Sequence, residues 1–585
     1  MSGCGAFDDD ELLSEKQLPA SSCSNTSCNG TSTTKTCSNA NGCSTSTGCQ
    51  QQQQQGSFGS WARRQAATST AAPAEEQQQQ QQPGSLGTCM KCKAAPAVAL
   101  IRQHEPYCNA CIEAGVIAKF RYATKGQGLI ATGDSVLLAV SGGAASMALL
   151  WCTIAMQSAH SSRPERGKVP FRLAVLHVDC SAAWGVPAEQ AQQRLQQLQA
   201  AAAAAGFAEQ LLVLQLHDVF ADQAQLLQLL QDQQQQQQQQ QPGVEQLQVQ
   251  LQAAHLSVAE QQGTSQQQQQ QQWRQQWQQQ LQELLGAVSD TTGREDLAAH
   301  LQDSLLLRAA AALGCSRMLR GECACRTAAN IIAEAAKGRG FSVPADIQLL
   351  DARLLQQGGP AVLRPLREVT LKELAALCTY KGIAWSDRQM GQPRQGGSGS
   401  AGRGSSAHGA ASVNQLADRF IADMQGSVPA SIYTILRTAS HLQPFGFNAL
   451  AAVPGAAEMQ SSAARQSAKK QQQQQPQAQA QPEGGGQQQW LLCSVCRAPL
   501  PASAAAAAAA AEDSGAVADA AARDRLLLAG LTGAHSRQLC YTCNRQLLYK
   551  VEVQPEASSA ADTSLDARMQ RLRQLLPPGM LLEDD

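Results

Sequence analysis

The stretch Val136–Leu150, "VLLAVSGGAASMALL", decides how the chain is read. Five apolar residues come first, as in a strand buried on both faces. A Ser-Gly-Gly turn follows, and then a run with helical periodicity. Strand, glycine turn and helix start make the layout of an anion site. Glycines let backbone N–H groups turn toward a phosphate, and the helix N-terminus adds its positive end. Ser141, Gly142, Gly143 and Ser146 are the candidate phosphate-loop residues. The residues between them, Ala144 and Ala145, bring no polar group. Taken alone, such a turn also fits close helix packing with no ligand.

Working outward, strand-like and helix-like segments alternate. "RLAVLHVD" (172–179) and "EQLLVLQLHD" (209–218) read as further strands. "PAEQAQQRLQQLQAAAAAAG" between them reads as a helix, with Pro187 at its start and Gly206 at its end. After a Gln-rich interval come an amphipathic helix over 296–314, a short strand "SRMLRGE", a helix "CRTAANIIAEAAKGRG", and a strand–loop–helix in "AVLRPLREVTLKELAALCTYKG". Alternation of this kind implies βαβ units and a parallel sheet. Ligands of such sheets bind at the carboxyl ends of the strands, where "SGGAAS" falls.

The 585 residues are not all of this kind. Charged residues make up 16%, below the roughly 25% of ordinary globular chains. Much of the length is Gln, Ala, Ser and Gly. The expected organisation is a disordered Cys/Ser/Gln-rich segment at 1–87, a zinc-knuckle module at 88–125, and an α/β domain at 126–386. The α/β domain carries a Gln-rich surface-loop insertion at about 231–290 with flanks open to helix, where Trp273 and Trp277 stand one helical turn apart. A Gly/Ser linker (387–411), a helical segment (412–446), a Gln-rich linker (447–489), a second cysteine module with an Ala-rich insertion (490–550) and a tail (551–585) complete it. The net charge of −1 neither favours nor excludes nucleic acid. No apolar run is long enough to span a bilayer. "MSGCGAFDDDELL" lacks the basic and apolar regions of a secretory signal, so the cytosol is the expected compartment and no membrane partner is expected.

Twenty cysteines in a reducing compartment point to metal ligands or free thiols. Cys89-x2-Cys92 and Cys108-x2-Cys111 have the spacing of a four-thiolate structural zinc site. Cys493-x2-Cys496 and Cys540-x2-Cys543 repeat the motif across a longer spacer. Two closed zinc sites are expected, with a crossed arrangement sharing pairs from both ends left open. Cys4, Cys23, Cys28, Cys37, Cys43 and Cys49 lack paired spacing and read as filler. Basic residues interleaved with aromatics between Cys89 and Lys125 suggest RNA contact, as do the arginines further on. Lys119, Arg121, Lys125, Arg364 and Arg367 are the candidates, against the plainer reading of a solvated surface.

The motif order "CMKC…CNAC", "AKFRYA", "VLLAVSGGAASMALL", "LHVD", "RGFSVPADIQLLDARLLQQGGPAVLRPLREVTLKELA", "LADRFIADMQGSVPASIYTILRTA", "CSVC…CYTC" resembles the cytoplasmic tRNA 2-thiolation protein 2 family. The resemblance implies a PP-loop ATP pyrophosphatase fold, a doubly wound α/β sheet. It implies a subunit of the complex that 2-thiolates the wobble uridine of cytosolic tRNAs. The partners implied are a catalytic PP-loop thiolase in a heterodimer, tRNA, and a thiocarboxylated ubiquitin-related modifier as sulfur donor. Active members carry Ser-Gly-Gly-x-Asp-Ser in the loop, and here the Asp position is Ala145. A methyl group neither ligates magnesium nor orients a phosphate, so ATP binding is left open and no catalytic residue is assigned. The cysteine pair that active members carry after the third strand is missing, since no cysteine lies between Cys180 and Cys315. Cys323 and Cys325, at a helix start, are the minor thiol candidates. Two other readings stand beside this one: a self-sufficient ATP-dependent tRNA sulfurtransferase, and a zinc-binding Gln-rich interaction protein.

Overall fold

The computed structural model describes residues 86–101, 105–158, 168–239, 256–386, 412–453, 492–500, 539–548, 565–577 and 580. The segment 1–85, most of the two linkers and the Ala-rich run lie outside the described residues, as do the six unpaired N-terminal cysteines. Among the described residues, no helix is long and apolar enough to cross a membrane.

The strands are β1 (Ala99–Leu100), β2 (Pro106–Tyr107), β3 (Ser135–Ala139), β4 (Arg172–Asp179), β5 (Leu212–Gln215), β6 (Arg317–Arg320), β7 (Leu350–Asp351) and β8 (Ala361–Leu363). β1 and β2 form a small antiparallel hairpin, and the other six form one sheet in the order β5-β4-β3-β6-β8-β7. Five of the six are parallel; β7 pairs antiparallel with β8 at the edge. Chain order therefore runs outward in both directions from β3, which is the doubly wound topology.

Strand geometry divides the side chains between two cores. Val136, Leu138 and Val140 enter one core, with Leu319 and Leu363. The helices Asn109–Arg121, Ala144–Met156, Ala324–Ala336 and Leu371–Tyr380 cover that face. Leu137, Leu176, Leu214, Met318 and Val362 enter the other. There the cover is Gln223–Gln239, Leu256–Ala287, Thr291–Ala312 and the second cysteine module. Burial on both faces is why these strands read as unbroken apolar runs.

The Gln-rich interval expected as a surface loop with flanks open to helix holds the end of Gln223–Gln239 and the whole of Leu256–Ala287. Trp277, Leu281, Leu284 and Leu285 are buried, and Trp273 stacks on Trp277 with ring centroids 6.2 Å apart. Spacings of four, seven and eight residues put those four side chains on one helix face. Arg274 on the same helix donates to the buried carboxylate of Asp218 from Nε at 3.2 Å.

At the centre, the end of β6 meets the start of helix Ala144–Met156. A Cβ on Gly321 would lie 2.7 Å from Ser146 Cα and 2.8 Å from Ser146 N. Neither contact is a movable side chain, so Gly321→Ala should destabilise by about 1–3 kcal/mol through overpacking. Gly340→Ala, where an added Cβ meets nothing within 4 Å, is the control. Equilibrium unfolding of both variants checks this; equal stabilities would refute the close approach.

Candidate functional site: a glycine loop and two cysteine centres

The Ser141–Ser146 loop leaves the carboxyl end of β3, the strand from which the sheet winds both ways. Gly142 has φ +83°, a left-handed conformation that favours glycine. Ser146 Oγ donates to Gly143 O at 3.0 Å, accepts from Ser141 N at 3.3 Å and lies 3.2 Å from Ser141 Oγ. Both hydroxyls thus hold the loop's own shape. Gly143 caps the helix without a side-chain hydrogen bond, so first-turn N–H groups are left for water or an anion. Ser386 N donates to Gly142 O at 2.9 Å, bringing the segment after Ile383 against the loop. From β4, His177 Nδ1 donates to Val140 O at 2.8 Å. The cradle is well formed, but Ala145 presents only a methyl group to it.

The cysteines assemble as two separate sets, Cys89/Cys92/Cys108/Cys111 and Cys493/Cys496/Cys540/Cys543. Within each set the sulfurs lie within 4.8 Å of one another. The nearest printed approaches are 3.7 Å for Cys92–Cys108 and 3.5 Å for Cys496–Cys540. Tetrahedral ligation at about 2.3 Å per bond puts sulfurs about 3.8 Å apart. Both sets therefore fit one four-coordinate ion each, and the crossed arrangement is not the one adopted.

The two modules share a local design that sequence reading did not detect. Each first pair is followed by a basic residue with left-handed backbone, Lys93 at φ 55° and Arg497 at φ 57°. Lys93 N donates to Cys89 O and Arg497 N to Cys493 O, both at 2.8 Å. Each turn is closed by a bridge, Thr88 with Pro96 and Leu492 with Pro499. Each second pair opens a helical segment, with Cys108 and Cys540 as N-caps. The signal was present in the sequence as Cys-x2-Cys-Lys/Arg-Ala, hidden by one extra residue in the first turn.

The surroundings differ. In the first centre Cys92 is exposed and Cys111 half-buried. Burial raises the Cys89 thiol, but backbone N–H groups of Cys92, Cys108 and Lys91 outweigh it and bring the pKa to about 6. The second centre is built into the domain core, with Cys493, Val495, Leu539 and Cys543 part of it. Buried Arg339 donates from Nη2 to Cys543 Sγ at 3.5 Å, and from Nη1 to Glu334 at 3.2 Å. Its Nη2 also lies 2.9 Å from His300 Nε2, which must accept. Four thiolates around a divalent ion carry excess negative charge, and this guanidinium offsets it where water is excluded. Thr542 Oγ1 donates to Lys337 O at 3.0 Å, adding a second tie.

Of the RNA-contact candidates, Arg121 and Lys125 are exposed, as is Tyr122 between them. Lys119 is part-exposed but pairs with Glu373 at 3.1 Å. Arg364 is corrected: it is buried, with Nε 3.2 Å from Glu322 and Nη2 3.6 Å from Asp351. It is a core ion-pair member, its guanidinium taken up by two carboxylates. Arg367 is held by Ile347 O at 3.0 Å and Gln348 Oε1 at 3.3 Å. Cys323 and Cys325 are both buried, Cys323 as the N-cap of Ala324–Ala336. Leu371 N donates to Cys325 Sγ at 3.5 Å.

The class defined by this fold and site is a doubly wound α/β protein with a Ser-Gly-Gly loop at the end of its central strand and two four-cysteine centres. No family model matches the chain. Curated proteins named cytoplasmic tRNA 2-thiolation protein 2 are similar to it. The Oryza sativa subsp. japonica protein is 26% identical over 367 residues, 62% of this chain and 64% of that protein. The Homo sapiens protein is 28% identical over 371 residues, 60% of this chain and 67% of that protein. The Arabidopsis thaliana protein is 36% identical over 166 residues, 28% of this chain and 32% of that protein. The resemblance carried by the motif order thus holds, although the chain matches only 64% of the rice protein's length. Among solved structures, the U34-tRNA thiolase NcsA from Methanococcus maripaludis, with its 4Fe-4S cluster, is similar at TM-score 0.38 and 11% identity, covering 61% of this chain and 90% of that chain.

Two outcomes follow from the unequal centres. With a chromogenic chelator, metal should leave the exposed first centre first, and Arg339→Gln should speed release from the second only; equal release from both would refute the asymmetry. Burial, then Arg339, lowers the His300 pKa from 6.5 to about 4. A depressed folded-state pKa means the unfolded chain takes the proton first. The stability His300 contributes is therefore full above pH 6.5 and lost as pH falls toward 4. His300→Gln keeps an acceptor for Arg339 without titrating, so its unfolding midpoint should fall less steeply across that window.

Proposed function

We propose that this chain is the non-catalytic companion subunit of a cytoplasmic complex that 2-thiolates the wobble uridine of tRNA. The observation that carries the reading is Ala145 inside an otherwise complete Ser-Gly-Gly loop, in a chain whose curated relatives bear the 2-thiolation name. Activating a uridine carbonyl oxygen with ATP needs an ion or side chain to hold the phosphates in line. Ala145 supplies neither. Chemistry then falls to a separate PP-loop thiolase in a heterodimer, with a thiocarboxylated ubiquitin-related modifier as sulfur source.

The chain's own share is structure and RNA surface. Zinc is the ion we assign to both centres: four thiolates in closed sites suit it, and no position is left for substrate. The first centre orients the helix Asn109–Arg121, whose end delivers Arg121, Tyr122 and Lys125 to solvent. Two cations beside an exposed ring suit a phosphate backbone with an unpaired base. Lys119 serves as the anchor of that helix through Glu373 rather than as a free contact.

Deleting the chain should abolish wobble 2-thiouridine, measured by nucleoside mass spectrometry, and a pull-down from the same cells should recover an active thiolase. Unchanged thiouridine would refute the reading. Pyrophosphate release by the isolated chain with tRNA would instead establish an enzyme in its own right. Arg121→Ala with Lys125→Ala should weaken tRNA binding and lower the salt slope by about two. Arg364→Ala should destabilise the chain, because Glu322 and Asp351 lose a buried partner.

A further inference from the structure

Between the second cysteine turn and the sheet lies a cavity of about 80 Å³. A water's share of liquid volume is about 30 Å³, so the space exceeds a single water. Its walls are mixed, with Leu307, Met318 and Val495 beside the polar groups. Arg320, Arg353, Arg364 and Arg497 line it, with Ser304, Asp303, Asp346 and Asp351.

Three of the four guanidinium groups are already matched. Arg320 pairs with Asp303 at 2.9 Å and Glu322 at 3.3 Å. Arg353 pairs with Asp351 at 2.8 Å and Asp346 at 2.5 Å. Arg364 pairs with Glu322 at 3.2 Å and Asp351 at 3.6 Å. Arg497 differs: among the described residues no carboxylate lies within ion-pair distance of it. Its Nη2 donates to Ser304 Oγ at 3.3 Å, which leaves that hydroxyl's own proton to give. Arg497 cannot relax outward freely. Its backbone is fixed left-handed by the cysteine turn, and its carbonyl accepts from Arg353 Nη1 at 2.9 Å.

A half-buried cation pinned beside other cations, with a hydroxyl donor and open volume in front of it, is the donor set of an oxyanion site. We propose that this cavity binds a phosphate-type oxyanion between Arg497 and Ser304, with Arg320 at its rim. The oxyanion is either a free phosphate or pyrophosphate or one phosphate of an RNA backbone. The Ser141–Ser146 loop takes no part. The free-anion arm of the test is read without RNA and so stands apart from the tRNA function proposed above.

The test uses the full metal-loaded chain and two variants. Arg497→Asn removes the guanidinium while keeping a residue that tolerates left-handed backbone. Ser304→Ala removes the hydroxyl without touching the cysteine turn. Calorimetric titration with inorganic phosphate and with pyrophosphate should show binding that falls at least tenfold in Arg497→Asn and by less in Ser304→Ala, at unchanged metal content. If neither free anion binds, the RNA source predicts weaker tRNA binding by Arg497→Asn and a salt slope lower by about one. Free-anion and tRNA binding alike in wild type and variants would overturn the site. Should Arg497→Asn lose metal, Ser304→Ala decides alone: wild-type binding of every ligand by that variant overturns it.

Discussion

The backbone of Gly321 lies against the backbone of Ser146 with no room for a β-carbon. That contact fixes where the end of β6 meets the start of helix Ala144–Met156. The glycine loop, the helix N-terminus and the cysteine-bearing helix after β6 all take their positions from it. A parallel sheet brings its strand ends to one edge in any case. This approach makes the edge tight enough for loop amides, Ser146 and the β6 segment to share one small region. The geometry of an anion cradle is thus held by packing, independently of whether a catalytic side chain stands in it. The loop's shape rests on Gly321 packing and on Ser146 bonding Gly143 O and Ser141 N, and Ala145 adds no polar group to it.

Much of this was legible in the sequence, for physical reasons that can be named. β4 was readable over its whole length, because a strand covered on both faces keeps an apolar centre, here Leu173–Leu176. The cysteine sets were readable because thiolate ligation imposes spacing directly on the chain. The helix Leu256–Ala287 was legible only as a helical flank marked by Trp273 and Trp277, because glutamine tracts masked its sparse apolar stripe of Trp277, Leu281, Leu284 and Leu285. β7 is two residues long and antiparallel, too short for any periodicity to show. Arg364 was misplaced for a different reason. Sequence reports a charge but not its carboxylate partners, and Glu322 and Asp351 come from other segments of the chain.

The two cysteine centres show how one local motif serves two purposes. The first stands at the rim and hands its helix on to an exposed basic turn. The second is part of the core, and its charge is met from within by Arg339, which is itself shared with Glu334 and His300. A loaded cluster in that position needs the guanidinium, and the guanidinium needs the cluster. Removing the guanidinium leaves the buried thiolates short of a counter-charge, while removing the cluster leaves Arg339 only Glu334 as an ionic partner. The second centre is therefore coupled to the helices Thr291–Ala312 and Ala324–Ala336 in a way the first is not.

That coupling bears on the role proposed for the chain. A companion subunit would contribute by presenting surfaces in fixed relation to one another. The first centre and the Lys119–Glu373 pair fix the basic turn to the domain. The second centre fixes the C-terminal segment to the opposite face of the same sheet, through Arg353 to Arg497 O and Arg339 to Cys543. Both attachments converge on a sheet whose edge is set by glycine packing. The packed frame then runs from one cysteine centre to the other through that sheet.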